Sequence, residues 1–232
     1  MRLRSSNPVL RSAERNILVS DTAVTYSGVA FKTVFLVLVT AIVGFFTIAN
    51  LDQVSIPLLI GSMIVGFISV LIGMRSVRLA PLFAIIYAMS EGVILGFITI
   101  IFEFYYPGIA LTAISTTLIV LMIMMLLYST NIIKVNQRFA SFMVVSLISI
   151  IFMSIFLLIF GFEGPLYIGV CILSTVIAAL YLFMDFEHIK NCVESGADTR
   201  YGWILSLGLM VSLIWLYVEI LRLLAIFARR NN

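Results

Sequence analysis

Two carboxylates near the end of the chain are the residues best placed to do chemistry. Asp185 follows the apolar residues 180–184, and Glu219 lies inside the apolar stretch 216–224. An ionisable side chain at the centre of a membrane helix costs roughly 2.5 to 3.5 kcal/mol on insertion scales, so such groups usually line a bundle interior or a water path. We therefore predict that these two acids face each other inside the protein.

The segment between the two acids gives a length argument for this pairing. If both helices continue into the cytoplasm and turn around residues 195–202, each arm carries about 15 residues, which brings the acids to similar depth. Two carboxylates within reach of each other cannot both ionise cheaply, so such a pair shares a proton and titrates as a unit. It would be a pH sensor. When depth is counted from the opposite face of the membrane, however, Asp185 and Glu219 lie at different depths. This difference indicates that the last span is unusual.

Three more charged residues lie within or at the ends of apolar runs. Glu91 is about ten residues into its run, near 15 Å from the start, and must find a cation, a hydrogen-bond donor or water there. Glu91 and Arg222 are therefore candidates for a pore or proton path. Arg75 is the last residue of an apolar run. Taken alone, it is interpreted as a topology anchor whose charged end reaches the membrane surface.

Local explanations compete with the acid pair. Glu219 and Arg222 are spaced i, i+3, so they could simply neutralise each other along one helix face. Asp185 could be only a helix-end residue at the cytoplasmic boundary. Both alternatives leave the chain without a pH sensor of the kind described above.

The composition restricts the class of protein. Of the 232 residues, 62% are hydrophobic and only 11% are charged, and the mean hydropathy is +1.20. Soluble domains carry about 25% charged residues, so we predict a polytopic membrane protein. In such proteins an excess of Lys and Arg reflects topology, so no nucleic-acid partner is expected. The partner that this composition predicts is the lipid bilayer.

Seven apolar spans are visible, and each suits a helix that crosses a hydrocarbon core about 30 Å thick. They are residues 31–49, 56–74, 82–102, 109–128, 139–160, 166–184 and 203–228. The prediction is an all-α, seven-helix transmembrane domain at residues 31–228, between a basic tail at 1–30 and a short C-terminal tail at 229–232. Gly92 and Gly96 form a G-x-x-x-G in the third span that would permit close helix packing.

The charge of the connectors predicts the orientation. The N-terminal tail and the connectors at residues 75–78 and 134–138 are basic, so the positive-inside rule places them in the cytoplasm. We expect a multi-pass protein of a bacterial inner membrane. Arg229 and Arg230 contradict this rule if the last span crosses fully. Either the last span turns back without crossing the membrane, or it crosses fully and its terminal arginines are tolerated. We favour the full crossing.

Several of these segments together resemble the Bax inhibitor family, the transmembrane Bax inhibitor motif proteins that include bacterial YccA-like members. They are Asp185 in YLFMDF, Glu219 and Arg222 in LYVEILR, Glu91 in SEG, and YPG at residues 106–108. These motifs, in this order across seven spans with a basic N-terminal tail, carry the resemblance, which covers residues 31–228.

The resemblance implies a seven-helix bundle with the last helix central and a pH-sensitive calcium leak. It further implies that the acids on the last two helices, Asp185 and Glu219, exchange a proton and are latched by Arg75. Glu219 departs from the pattern, since better-studied members carry aspartate there. Ca²⁺ would contact Asp185 and Glu219 transiently as the permeant ion, and no cofactor is expected.

The expected function is thus a calcium leak channel gated by a proton-sharing carboxylate pair, with no enzyme activity. The alternative is a membrane stress protein that binds and modulates a partner such as a membrane protease, without transport. An intramembrane hydrolase is disfavoured because the chain has neither a G-x-G-D context nor an H-E-x-x-H motif.

Overall fold

The computed structural model describes residues 23–130, 132–161 and 164–231. Within these ranges it contains seven long helices and a 3-10 turn at Leu51–Gln53. The helices are α1 (Tyr26–Ala49), α2 (Ile56–Arg75), α3 (Ala80–Tyr105), α4 (Ile109–Ser129), α5 (Gln137–Phe160), α6 (Pro165–Glu194) and α7 (Tyr201–Asn231). The predicted basic tail lies outside the described residues up to position 22, and residues 26–30 belong to α1.

All seven helices are long and apolar enough to cross a membrane. The structure is 87% helical and has no β-strand among its described residues, which confirms the predicted seven-helix membrane bundle. The last helix continues without interruption from Tyr201 to Asn231. A re-entrant element would have to break and reverse, so this helix fits a full crossing.

Helix α7 is the centre of the bundle. It packs against α1, α2, α3, α4 and α6, and 50% of its apolar window is buried, compared with 17% to 33% for the other six spans. Leu207, Met210, Leu216 and Leu221 are completely buried along its length. α7 thus buries a larger share of its residues against other helices than any other described span does.

Helices α1 and α3 approach closely through three glycines. A Cβ atom on Gly96 would lie 2.6 Å from the carbonyl oxygen of Gly44, and one on Gly92 would lie 2.8 Å from the carbonyl oxygen of Thr40. The Thr40 hydroxyl donates a hydrogen bond to the Ala88 carbonyl oxygen at 3.0 Å. The G-x-x-x-G of the third span therefore forms a backbone-to-backbone contact, as predicted.

Helix α2 also packs through small residues. Its buried residues are Gly66, Ser69 and Gly73. A Cβ atom on Gly73 would lie 2.7 Å from a methyl group of Leu207 on α7. The end of α2, which carries Arg75, is therefore set against the first half of α7.

The connection from α6 to α7 is held by the start of the described chain. The Val24 amide donates to the Ala197 carbonyl oxygen at 2.8 Å, and Val24 is 2% exposed. One turn into α7, the Ser206 hydroxyl donates to the Val29 carbonyl oxygen at 3.0 Å. Helix α1 and the α6–α7 turn are thus joined at the end of the bundle that carries residues 195–200.

Glu103 caps the turn between α3 and α4. Its two carboxylate oxygens accept hydrogen bonds from the backbone amides of Gly108 at 2.6 Å and Ala110 at 2.9 Å. The first amides of a helix have no partner within that helix, so a carboxylate at this position stabilises the start of α4.

We expect Glu103→Gln to lower the stability of the protein by about 1 kcal/mol, because a neutral amide offers one acceptor oxygen instead of two. Thermal unfolding of the purified protein in detergent measures the loss. Asp52→Asn is the matched control, since Asp52 is an exposed acid in another connector. Equal unfolding temperatures for the two variants would show that the cap contributes nothing.

Candidate functional site

Asp185 lies on α6 with its carboxyl group directed at α7. The Oδ2 atom is buried and has no hydrogen-bond partner among the described residues. The Oδ1 atom is 4.0 Å from the position that a Cβ atom on Gly208 would take, and the Ser212 hydroxyl approaches the same carboxyl group. Because Gly208 has no side chain, α7 leaves space beside this acid. A buried carboxylate oxygen without a donor is an open acceptor for a proton, a cation or water.

Glu219 lies on α7 and is satisfied by its own helix. It is 5% exposed. Its Oε1 atom accepts a hydrogen bond from Trp215 Nε1 at 3.3 Å, and its Oε2 atom accepts one from Arg222 Nη1 at 3.4 Å. The structure therefore contains the local i, i+3 ion pair that competed with the acid pair in the sequence.

The structure does not bring the acids of the predicted proton-sharing pair, Asp185 and Glu219, into hydrogen-bond contact. Asp185 lies about two and a half turns before the end of α6, whereas Glu219 lies about five turns after the start of α7, so the two are offset by about two and a half turns, or roughly 14 Å, along the helices. Tyr181 lies one turn before Asp185, and Trp215 lies one turn before Glu219. The two rings pack edge to face with their centroids 5.8 Å apart. No hydrogen bond joins the acids in the described part of the chain.

In this structure Arg75 forms no ion pair with Asp185 or Glu219. It is exposed at the end of α2, and Glu219 has Arg222 as its ion-pair partner instead. Arg75 is nevertheless near Asp185 in depth. Two residues earlier, Gly73 packs on Leu207, and the neighbouring Gly208 faces the Asp185 carboxyl group. A long Arg side chain that turned inward from this position would approach Asp185 before Glu219.

Glu91 occupies a separate place, at the interface of α2 and α3. Its Oε1 atom is 3.8 Å from the position of a Cβ on Gly66, and the Tyr87 hydroxyl approaches its carboxyl group. The missing side chain at Gly66 leaves room for the acid between the helices. Glu91 is thus a third acid within a span, and the contacts of its carboxyl group lie on α2 and α3 rather than on α6.

Sequence reasoning missed several polar residues of the α6–α7 interface. Ser174 is 1% exposed, and its Oγ atom is the other buried side-chain oxygen without a partner in the described residues. It precedes Asp185 by about three helical turns, which places both on one face of α6. On α7, Gly208 and Ser212 are spaced by four residues. This periodicity of small and polar residues within apolar spans was the available signal.

The arrangement does not resemble a high-affinity metal site. Among the described residues, no three His, Cys, Asp or Glu side chains lie close enough to hold a metal ion. Ca²⁺ takes six to eight oxygen ligands at about 2.3–2.6 Å, so one ion could not contact Asp185 and Glu219 together at their separation. The predicted transient contact of Ca²⁺ with Asp185 and Glu219 stays a prediction.

Comparison with known families assigns the chain. A sequence profile described as Bax inhibitor 1 like matches residues 7–229. The chain belongs to this family. No curated protein matches it. Family membership and seven apolar helices together make this Bax inhibitor 1 like protein an integral, multi-pass membrane protein, as the resemblance in the sequence predicted.

Proposed function

We propose that this Bax inhibitor 1 like protein is a proton-sensitive calcium leak in which Asp185 is the acid that responds to pH. The observation that carries the proposal is the buried Oδ2 atom of Asp185, which has no partner within the described chain. A buried carboxylate oxygen left without a donor inside a helical membrane bundle is costly and is usually associated with an ion or proton path.

The surroundings of Asp185 suit weak cation binding. Ionised Asp185, the Ser212 hydroxyl beside it and water supply hard oxygen ligands, which Ca²⁺ prefers. Too few protein ligands are present to hold the ion tightly, so an ion that enters can also leave. Protonation removes the charge, which changes the attraction for a cation and for Arg75 at the adjacent end of α2.

Glu219 has a different part in this proposal. Its charge is balanced within α7 by Arg222 at 3.4 Å, so it contributes a fixed pair rather than an open acid. Glu219 and Asp185 then lie at two different depths of the interface between α6 and α7, with the Tyr181 and Trp215 rings between them. No covalent chemistry is proposed for either acid.

Calcium flux into liposomes tests the function. Purified protein is reconstituted with an enclosed calcium indicator, and the initial rate is measured between about pH 4 and pH 8, the range in which carboxyl groups of proteins change charge. We expect a flux above that of protein-free liposomes, with a rate that depends on pH. Absence of flux at every pH would overturn the proposal. Copurification of a membrane protease would then favour the partner-binding alternative.

We also propose that the protein resides in a bacterial inner membrane with its N-terminus in the cytoplasm. The basic connector that contains Arg75 and Arg78 and the one that contains Lys134 and Arg138 support this orientation. Labelling of single cysteines from outside intact cells tests it. A cysteine at position 78 should be protected and one at position 52 accessible, and the reverse pattern would contradict the proposed orientation.

A further inference from the structure

Two buried oxygens without a partner lie on one face of α6, on either side of an aromatic ring. Among the described residues, the buried side-chain nitrogen and oxygen atoms that make no hydrogen bond are Ser174 Oγ and Asp185 Oδ2. Tyr181 lies between them, seven residues after Ser174 and four before Asp185, a spacing that keeps all three on one helix face. Buried polar groups of this kind are usually satisfied by water. Each of the two oxygens therefore needs a water molecule or a cation as its partner.

Helix α7 carries the matching arrangement. Ser212, Trp215 and Glu219 are spaced by three and four residues, so their side chains also share a face. The Trp215 ring packs edge to face on Tyr181 with the centroids 5.8 Å apart, and its Nε1 atom donates a hydrogen bond to Glu219 at 3.3 Å. Both rings also pack against an apolar cluster of α5 and α6 residues. The rings thus form an apolar layer between two polar levels of the α6–α7 interface.

An apolar layer between two polar levels has the form of a channel gate. Hydrophobic constrictions in channels close because water leaves them, and an ion cannot cross without its water or a substitute ligand. Two rings in edge-to-face contact leave no room for a hydrated cation between them. Once the rings separate, the polar groups on both sides offer a cation the oxygen ligands that it prefers.

We infer that the calcium path runs between α6 and α7 and that the contact of Tyr181 with Trp215 closes it. Asp185 lies on one side of the two rings, and Ser174 and Glu219 lie on the other. Glu219 then has a positioning role, because its hydrogen bond holds Trp215 in place. The identity of the ion rests on the proposed leak, whereas the position of the path rests on the contacts of α6 with α7.

Cysteine labelling locates the path without any measurement of ion flux. A chain without its native cysteines, made by Cys171→Ser and Cys192→Ser, carries either Ser174→Cys or Ser212→Cys. A small cationic methanethiosulfonate reagent is added to one face of the membrane or to the other. We expect each new cysteine to react from one face only, and the two to react from opposite faces. With Trp215→Ala added, the reagent should reach each of them from both faces.

The labelling has two results that would overturn the inference. One is reaction of both cysteines from the same face of the membrane. The other is a pattern that Trp215→Ala leaves unchanged, including no reaction at either position. The expected labelling together with no calcium flux at any pH would refute the leak but support the path between α6 and α7.

Flux measurements separate the ring from its hydrogen bond. Trp215→Ala should raise the calcium flux into liposomes about fivefold, the factor by which the loss of one aromatic contact shifts an equilibrium between closed and open states. Trp215→Phe keeps a ring but removes the donor to Glu219, and it should restore most of the closure. Equal flux through Trp215→Phe and Trp215→Ala would contradict a gate made by the rings.

Trp203→Ala is the matched control for Trp215→Ala. Trp203 also lies on α7, but its ring packs edge to face on Phe35 of α1, with the centroids 6.3 Å apart. Its removal should leave the calcium flux as in the original chain, and an increase equal to that of Trp215→Ala would show a general loosening of the bundle. If Trp215→Ala does not fold, Tyr181→Ala removes the other ring of the pair and should have the same effect on flux and labelling.

Discussion

Replacement of Asp185 by Asn is expected to abolish the pH dependence of calcium flux. Asn has nearly the same shape as Asp and can still accept a hydrogen bond from Ser212, but it neither ionises nor binds a proton in this pH range. The ratio of flux rates at the two ends of the pH range should therefore fall to about one, as expected for a site that does not titrate. Liposome flux of this variant, compared with the original chain, provides the measurement.

Glu219→Gln is the informative comparison for Asp185→Asn. Glu219 is already paired with Arg222 and bonded to Trp215, so its removal should leave the pH response in place. It should instead reduce stability, because the charge of Arg222 is no longer balanced within the span. A proton-sharing pair would make both variants independent of pH. A normal pH profile in Asp185→Asn would therefore refute the central assignment, whatever Glu219→Gln does.

The substitution Gly96→Ala is expected to cause a large loss of stability. The added Cβ would lie 2.6 Å from the Gly44 carbonyl oxygen and 2.9 Å from its Cα atom, so backbone rather than a movable side chain stands in the way. Overpacking of this kind costs about 1–3 kcal/mol, and α1 and α3 would have to separate to relieve it. Thermal unfolding in detergent, followed by circular dichroism, measures the effect.

Gly61→Ala is the control for Gly96→Ala. Gly61 also lies inside a helix, yet a Cβ there would meet no atom within 4 Å. The same chemical change should be neutral or stabilising at that position, by up to about 1 kcal/mol from helix propensity. Similar unfolding temperatures for the two variants would contradict the close contact between α1 and α3.

The sequence was sufficient to predict the spans because membrane insertion depends on length and hydropathy, and both are local properties. The G-x-x-x-G of α3 was predictable for a similar reason, since a small residue every four positions marks a face that another helix can approach. The residue of α1 that it contacts was not predictable. Gly44 is an isolated glycine in α1, and only the three-dimensional packing brings it to Gly92 and Gly96.

The turn between α6 and α7 was predicted correctly, but the relative depth of the two acids was not. The predicted turn at residues 195–202 agrees with the structure, in which α6 ends at Glu194 and α7 begins at Tyr201. Asp185 is 9 residues before the end of α6 and Glu219 is 18 residues after the start of α7, so the two arms are unequal and the count of about 15 residues for each was wrong. The competing i, i+3 pair was visible in the sequence because it depends on spacing within a single helix, and the structure contains it.

The hydrogen bond between Val24 and Ala197 has a mechanical consequence. It joins the segment before α1 to the turn between α6 and α7. A displacement of that turn must therefore either break the hydrogen bond or move α1 with it. Any opening at this end of the protein is therefore reported by the segment just before α1, where a fluorophore could follow it without touching the interior.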